Sequence, residues 1–295
     1  MSPCVRKAWL VLGNQSIQLE DRAAGYLLSS LDLGYGSPRV VDNNRPDADG
    51  VDDRTQFQGG RVVSADLTAL TDLGARVDEV ALSFGPYMQA SQRPVLHYVL
   101  DAGSNPERTL TLRPDGYAFK IEDTGERDIH LQWVAPDPIA YDPISKLATA
   151  WAGATVQHGR QYPLSFPRTY ASGPGGVRVD AVFSVTGDYP AQPVIRIYGP
   201  ITNPRVLFAP NGGGLGPQIP LKYQIGGGQH VTVDTKAHTV YLGEDSTASL
   251  LSAVDWVNLW WPVLTPQISP ITMILQGTNT TGLSQAQATW TEGYL

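Results

Sequence analysis

The stretch Gly187-Asp-Tyr-Pro-Ala-Gln-Pro-Val-Ile-Arg-Ile-Tyr-Gly-Pro-Ile-Thr-Asn-Pro204 sets one alternating strand between two groups of turn residues. Pro190 and Pro193 stand where a strand is entered, because proline has no N–H to give to a ladder. Val194-Ile-Arg-Ile-Tyr198 alternates as a half-buried strand does, and Gly199-Pro200 with Asn203-Pro204 is expected to close it with turns. The same grammar runs through the rest of the second half. Gly176 to Gly187 alternates Val177, Val179, Ala181, Phe183 and Val185 against Arg178, Asp180, Ser184 and Thr186, the clearest predicted strand of the chain. Ile219–Ile225, His230–Thr235, His238–Leu242, Ile271–Gln276 and Gln287–Tyr294 follow at the short spacing of a two-sheet sandwich.

The first half mixes strands with one helix. Predicted strands cover Lys7–Leu12, Tyr26–Leu33, Arg61–Leu67, Val95–Leu100, Arg108–Arg113, Tyr117–Ile121 and Ile129–Val134, separated by turn signals such as Asn105-Pro106 and Pro114-Asp115-Gly116. Leu73, Val77, Val80, Ala81 and Phe84 fall at i, i+4, i+7, i+8 and i+11, which predicts a helix over about 72–85 with one apolar stripe. Thr71 or Asp72 offers the N-cap and Gly85-Pro86 the stop. The segment Ala135 to Pro143 contains Pro136, Pro138 and Pro143 and continues neither helix nor central strand, so the domain boundary is expected there, with domains at 1–138 and 139–295. The predicted class is therefore mainly β with one helix (α+β).

Composition bounds the function. At 295 residues the chain suits about two domains of roughly 150 residues, each able to bury a core. Gly (30) and Pro (23) make up about 18% of it, above the roughly 12% usual, which favours a turn-rich β architecture. The formal net charge is -7, and no Lys/Arg block forms a phosphate-tracking stripe, which argues against a tight grip on nucleic acid. The same sign suits a channel through which DNA must slide. Cys4 is the sole cysteine, so no intrachain disulfide framework or Cys-based zinc cluster is available. The apolar run Ala8–Leu12 is shorter than the roughly 7–15 residues of a signal core, and no segment approaches the roughly 18 apolar residues of a membrane span. The expected location is the cytosol unless the chain leaves inside a larger particle.

Sites that carry chemistry are scarce. Asp42 to Asp53 packs five carboxylates around Gly50, yet with Gly50 at the sixth position of an EF-hand loop the first position is Arg45 and the twelfth Gln56, so the key carboxylates are missing. Its Asp47, Asp49, Asp52, Asp53 and the following Arg54 read instead as an assembly loop. Gly212 to Gly216 is followed by Pro217 and Pro220, which suits a hairpin connection rather than a phosphate cradle before a helix. Gly226-Gly-Gly228 is expected to turn a second hairpin between Tyr223–Ile225 and Val231–Val233. His97, His130, His158, His230 and His238 show no metal-ligand spacing, and no GxSxG elbow occurs. No catalytic, cofactor-binding or metal-binding residue is assigned. Trp256, Trp260 and Leu264 lie four apart, as on one face of a short helix-like segment packed under a sheet; the competing reading is an indole, Trp260, that stacks on sugar.

Several segments together resemble the distal tail protein (Dit) family of long-tailed (siphovirus) bacteriophages, in the version common in phages of actinobacteria. They are Asp32-Leu-Gly34 with Pro38-Arg-Val-Val41, Asp52-Asp-Arg-Thr55, Gly60-Arg-Val-Val63, Arg93-Pro-Val-Leu96, Asp137-Pro138 ahead of Tyr141, the opening stretch, Val231–Thr235 and Thr289-Trp-Thr-Glu-Gly-Tyr-Leu295. Pro266-Gln-Ile-Ser-Pro-Ile271 departs from the family's Pro-Gly-x-Asn-x-Ile. The resemblance implies a β-barrel-like first domain assembling into a six-fold ring, and a galectin-like or jelly-roll β-sandwich similar to carbohydrate-binding modules. It implies a structural virion protein of the tail tip, not an enzyme, assembled in the host cytoplasm. Its partners would be itself, the tail tube protein and the tail-tip hub, with tape measure protein and DNA passing through the lumen and no membrane insertion. The alternative is a lectin-like module that binds host saccharide directly in adsorption.

Overall fold

The structure, a computed structural model, describes residues 5–36, 38–39, 43–44, 51–52, 57–70, 77–100, 107–121, 127–153, 178–210, 216–268 and 270–295. The chain is mainly β with one short α-helix among these residues, and it divides into two compact units, 1–143 with Tyr294–Leu295, and 144–293.

In the first unit the elements are β1 (Val5–Leu12), β2 (Gln15–Gln18), β3 (Tyr26–Asp32), the two-residue pieces β4 (Pro38–Arg39), β5 (Asn43–Asn44), β6 (Val51–Asp52) and β7 (Phe57–Gln58), then β8 (Arg61–Ala69), α1 (Val77–Phe84), β9 (Val95–Leu100), β10 (Arg108–Thr111), β11 (Arg113–Ile121), β12 (Arg127–Ala135) and β13 (Ala140–Tyr141). The chain's last strand, β24 (Gly293–Tyr294), completes a six-stranded sheet ordered β2-β1-β9-β10-β13-β24, while β11-β12-β8-β3 form a second sheet. One core lies within the unit. Period-two alternation puts Val63, Ala65 and Leu67 of β8 and Ile129, Leu131 and Trp133 of β12 inward, all at most 1% exposed, with Leu10 and Leu96 from the other sheet. Burying that many large side chains, at about 1.5–3 kcal/mol each, is what offsets chain entropy here.

Helix α1 buries the stripe expected of it over the described residues. Val80, Ala81 and Phe84 are buried and Leu82 points to solvent, so the described turns carry one apolar face. Phe84 meets the Tyr26 ring edge-on at 5.7 Å, and the 3-10 turn Gly85–Met88, with Pro86 inside it, ends the α geometry. The expected cap residues Thr71 and Asp72 lie outside the described residues.

The second unit contains β14 (Lys146–Trp151), β15 (Ala181–Phe183), β16 (Val194–Tyr198), β17 (Ile201–Pro210), β18 (Gln218–Pro220), β19 (Gln224–Ile225), β20 (His230–Asp234), β21 (Thr239–Leu242), β22 (Ile271–Thr278) and β23 (Gln285–Trp290). Two sheets, β14-β23-β16-β20-β21 and β15-β22-β17-β18 with β19 beside β17, share one core. Its centre sets Ile195 and Ile197 of the first sheet with Val206, Phe208 and Met273 of the second. Across β14, β23 and β16 the register Ala148↔Ala288↔Ile195 and Ala150↔Ala286↔Ile197 sets two small side chains beside one large in each row, leaving room for side chains of the facing sheet.

Four local expectations change in this unit. Asn203-Pro204 is no turn: β17 runs through it as a bulge, with the register shifting between Thr202 and Arg205. Asn203 takes φ 50°, a left-handed conformation that asparagine tolerates, and Pro204 sits where a ladder already breaks. Gly226-Gly-Gly228 is no hairpin either, because β19 pairs with β17 whereas β20 pairs with β16 and β21, so the glycines carry the chain from one sheet to the other. Gly199-Pro200 makes the parallel crossing, and the two crossings abut: the Gly199 N–H donates to Gln229 O at 3.0 Å, and a Cβ on Gly199 would overlap the Gly226 carbonyl. Of the long strand expected over Gly176–Gly187, three of the described residues form β15, which among the described residues pairs with β22, and Val179 makes an isolated bridge to Trp151. Ile219–Ile225 splits into β18 and β19.

One buried charge holds the end of this unit. Glu292, 1% exposed, accepts from the Gly187 N–H at 2.7 Å, the Thr186 N–H at 3.0 Å and the Trp290 indole at 3.2 Å. Three N–H groups converging on one carboxylate replace its lost hydration.

Candidate functional site

The segment from Val254 to Leu264 decides the most distinctive surface of the second unit. It is extended, not helical: Val254 bridges Leu221, Trp260 bridges Gln218 and Leu264 bridges Ala191, with a turn at 256–258. The four-residue spacing of Trp256, Trp260 and Leu264 therefore marks no helix face. Pro262 and the turn set by Asp255, whose carboxylate accepts from the Asn258 amide at 3.0 Å, disfavour a helix locally, and the backbone instead covers the edge of β18. That covering sends neighbouring side chains opposite ways. Trp261 packs on the core and stacks on His238 at 4.7 Å, whereas Trp256 and Trp260 stand 57% and 58% exposed, contrary to the expectation that they bury.

Beside Trp260 opens a cleft of ≈ 260 Å³. Phe208, Pro210, Pro217, Leu264, Ile268 and Ile271 form its apolar walls together with the two indoles, and among the described residues no charged one lines it. Thr265 also lines it, and its Oγ1 is buried without a hydrogen-bond partner. Trp256, Val257, Trp260 and Val263 of this segment, and Ile268 just after it, are exposed apolar side chains. Such surface on a water-soluble face marks a contact site more often than a bare exterior. Gln218 braces Trp260 from outside the cleft, donating from Nε2 to Asn258 O at 2.7 Å and accepting from Arg205.

The second arrangement lies on the outer face of the first unit's β11-β12-β8-β3 sheet. Strand register aligns Ser30, Asp66 and His130 in one row, and Asp32, Ser64 and Gln132 in the next. Asp66 accepts from the Ser30 hydroxyl and pairs with His130 Nδ1, both at 2.6 Å, while Thr68 donates to Asp128 at 2.9 Å. The hydrogen bond from His130, then that from Ser30, holds the Asp66 carboxyl below its ordinary value. Asp66 stands between the serine and the histidine, so the imidazole does not touch the hydroxyl and the row lacks the Ser-His-Asp order of a nucleophile triad.

Two strand histidines, His97 and His230, are also paired with glutamates. His97 meets Glu107 at 2.5 Å and stacks on Trp9, and His230 lies 3.3 Å from Glu244, which also binds Arg196 at 2.8 Å. That guanidinium lowers the Glu244 pKa and is itself raised by it. Among the described residues no three His, Cys, Asp or Glu side chains gather as metal ligands, and no helix is long and apolar enough to cross a membrane. Of the assembly loop expected from the sequence, Asp47, Asp49, Asp53 and Arg54 lie outside the described residues, as does His158, and for Asp52 only the β6 backbone, paired to Asn43, is described.

No protein-family model matches this chain, and no curated protein is similar to it in sequence. Solved structures are similar in fold. The SPP1 Dit (gp 19.1) protein, described as a paradigm of the hub adsorption apparatus in phages that infect Gram-positive hosts, superposes with a TM-score of 0.60 at 15% identity, over 98% of this chain and 99% of that one. The phage P2 baseplate in its activated conformation gives a TM-score of 0.47 with Ca and with Sr, at 13% and 14% identity and 98% coverage of both chains. The chain thus has the fold of a phage Dit-type tail protein.

Proposed function

We propose that this chain is a structural component of a bacteriophage tail tip, in which the first unit closes into a six-fold ring joining tail tube to tail-tip hub and the second is an accessory domain that scaffolds host-adsorption proteins. The observation that carries this reading is the end-to-end likeness to SPP1 Dit: both units, in the same order and across nearly the whole of each chain, follow one hub protein. A closed ring needs two different complementary patches on each subunit, and the Asp47–Arg54 loop is our candidate for one of them. The polar outer face bearing Asp32, Asp66 and Asp128 is our candidate for the lumen, since carboxylates repel passing DNA and leave it free to slide past with the tape measure protein. The reading assigns the chain no catalytic step and places it in the virion. Native mass spectrometry of the full-length protein, followed by negative-stain imaging, tests it. Six-fold rings are expected, alone or on addition of tail-tube and hub proteins; absence of the chain from purified virions would overturn the reading.

Direct binding of host saccharide is a second reading, favoured by the exposed indole of Trp260. On a glycan array the full-length protein should then give a specific signal that Trp260→Ala removes without lowering stability. Silence across the array leaves the second unit a scaffold.

A further inference from the structure

We infer that the outer face of the sheet β14-β23-β16-β20-β21 binds a neutral oligosaccharide, on a surface separate from Trp260. The inference takes its class of ligand from the second reading above and gives that ligand another place. Alternation turns Ala148, Ala150, Ile195 and Ile197 into the core, so their strand neighbours face away from it. Cross-strand register then sets Trp151, Gln285, Tyr198 and His230 in one row and Thr149, Gln287 and Arg196 in the next, with Tyr241 two strands further on. All of these are half-buried. The Trp151 and Tyr198 backbones lie about 10 Å apart, two strand spacings, with Gln285 between them. His230 packs against Tyr198 with ring centroids 5.2 Å apart and lies 3.3 Å from Glu244, which Arg196 holds, so the tyrosine ring is braced before any ligand arrives.

What this face leaves unused names the ligand. Among the described residues, the Gln285 and Gln287 amides and the Thr149 hydroxyl make no hydrogen bond within the chain, and each amide offers donors and an acceptor side by side. The outer face of the first unit's four-stranded sheet is the contrast, since there Asp66 takes Ser30 and His130, Asp128 takes Thr68, and Asp115 takes Gln132. The charges beside the free amides are answered locally. Arg196 donates to both Glu244 oxygens, at 2.8 and 3.3 Å, and Asp234 accepts from the Lys236 and Ala237 N–H groups, so these residues leave no cation for an anionic ligand. Of the side chains on this face, Leu147 is the one large apolar group that is strongly exposed, which gives a protein partner little apolar core to bury. Unpaired amides set among aromatic rings, without uncompensated charge, suit a ligand that is uncharged, rich in hydroxyls and apolar on its ring faces, which is a saccharide.

A glycan array carrying neutral and anionic bacterial surface glycans, probed with the full-length protein, tests this. Neutral glycans of two or more sugars should give the signal. Gln285→Ala and Gln287→Ala remove amides that have no partner in the chain, so each should weaken binding about fivefold, the worth of one hydrogen bond, with the urea-unfolding midpoint in place. Trp151→Ala should weaken it at least as much, and Trp260→Ala should leave it unchanged. Silence across the array overturns both this inference and the saccharide reading. A signal on anionic glycans alone, or one that both glutamine variants retain in full, overturns the inference. When such a retained signal is lost in Trp260→Ala, the saccharide reading survives at Trp260 and only the sheet-face site falls. Ring formation, imaged on the same samples, stands or falls separately.

Discussion

Replacing Glu292 should destabilise the second unit by an amount that depends on what takes the carboxylate's place. Its Oε2 receives the Thr186 and Gly187 N–H groups and its Oε1 the Trp290 indole. Glu292→Ala strands all three donors. Each stranded buried donor costs about 1–3 kcal/mol, and discounting the half-exposed Thr186 amide gives a loss of about 3–5 kcal/mol. Glu292→Gln keeps one carbonyl oxygen, which can serve both backbone donors, while its NH2 faces the indole N–H and one bond is lost, about 1–2 kcal/mol. The assay is urea unfolding of the full-length protein followed by tryptophan fluorescence, in which Trp151, Trp256, Trp260, Trp261 and Trp290 report on the second unit and Trp9 and Trp133 on the first. The second-unit midpoint should fall in the order wild type, Gln, Ala, with the first-unit transition in place. A Gln variant as weak as the Ala variant would show that charge, not acceptor geometry, matters. An Ala variant within about 0.5 kcal/mol of wild type would show that water replaces the carboxylate, and either result refutes the argument.

Three further outcomes are expected. Burial, followed by the charge of Asp21, pushes the Tyr26 phenol up to about 12, and its hydroxyl donates to Gln18 O at 2.9 Å. Because the folded value is raised above the ordinary 10.0, the neutral phenol supports folding fully below pH 10 and that support is lost as pH rises through about 12; in Tyr26→Phe the first-unit stability should lose this decline, and an unchanged alkaline profile contradicts it. Asp66, held below its ordinary 3.8, supports the first unit above that value and loses the support as pH falls through its lower folded value, so Asp66→Asn should flatten the acid limb of a stability profile between about pH 4 and the acid end. Gly216→Ala should cost the second unit about 2 kcal/mol or more in urea unfolding, since a Cβ there overlaps the Phe208 backbone carbonyl, which no side-chain movement relieves; a neutral substitution would mean that the β17–β18 connection shifts freely.

The candidate site was partly written in the sequence. The tryptophan cluster drew attention as a possible sugar platform, and the packed alternative rested on a four-residue spacing that means a helix only if the backbone is helical. Pro262 and the Asp255 turn were the local signals against one. Nothing in the sequence marks Thr265 as unsatisfied, because a missing partner is a property of everything that packs around it.

What the sequence determined by itself is what local chemistry controls. Alternation placed β16 at Val194–Tyr198 and β9 at Val95–Leu100 with the observed bounds, and 3.6-residue spacing put Val80, Ala81 and Phe84 on the buried side of the helix. Abundant glycine and proline told of a β-rich chain with many turns. Tertiary structure decided which strands meet. A glycine run reads alike whether it turns a hairpin or crosses between sheets, and Asn203-Pro204 reads alike as turn or bulge, because the choice depends on hydrogen-bond partners far away in sequence. Glu292 is the sharpest case: the donors it serves at Thr186 and Gly187 lie 106 and 105 residues earlier, so its burial becomes favourable only once the fold has brought them together.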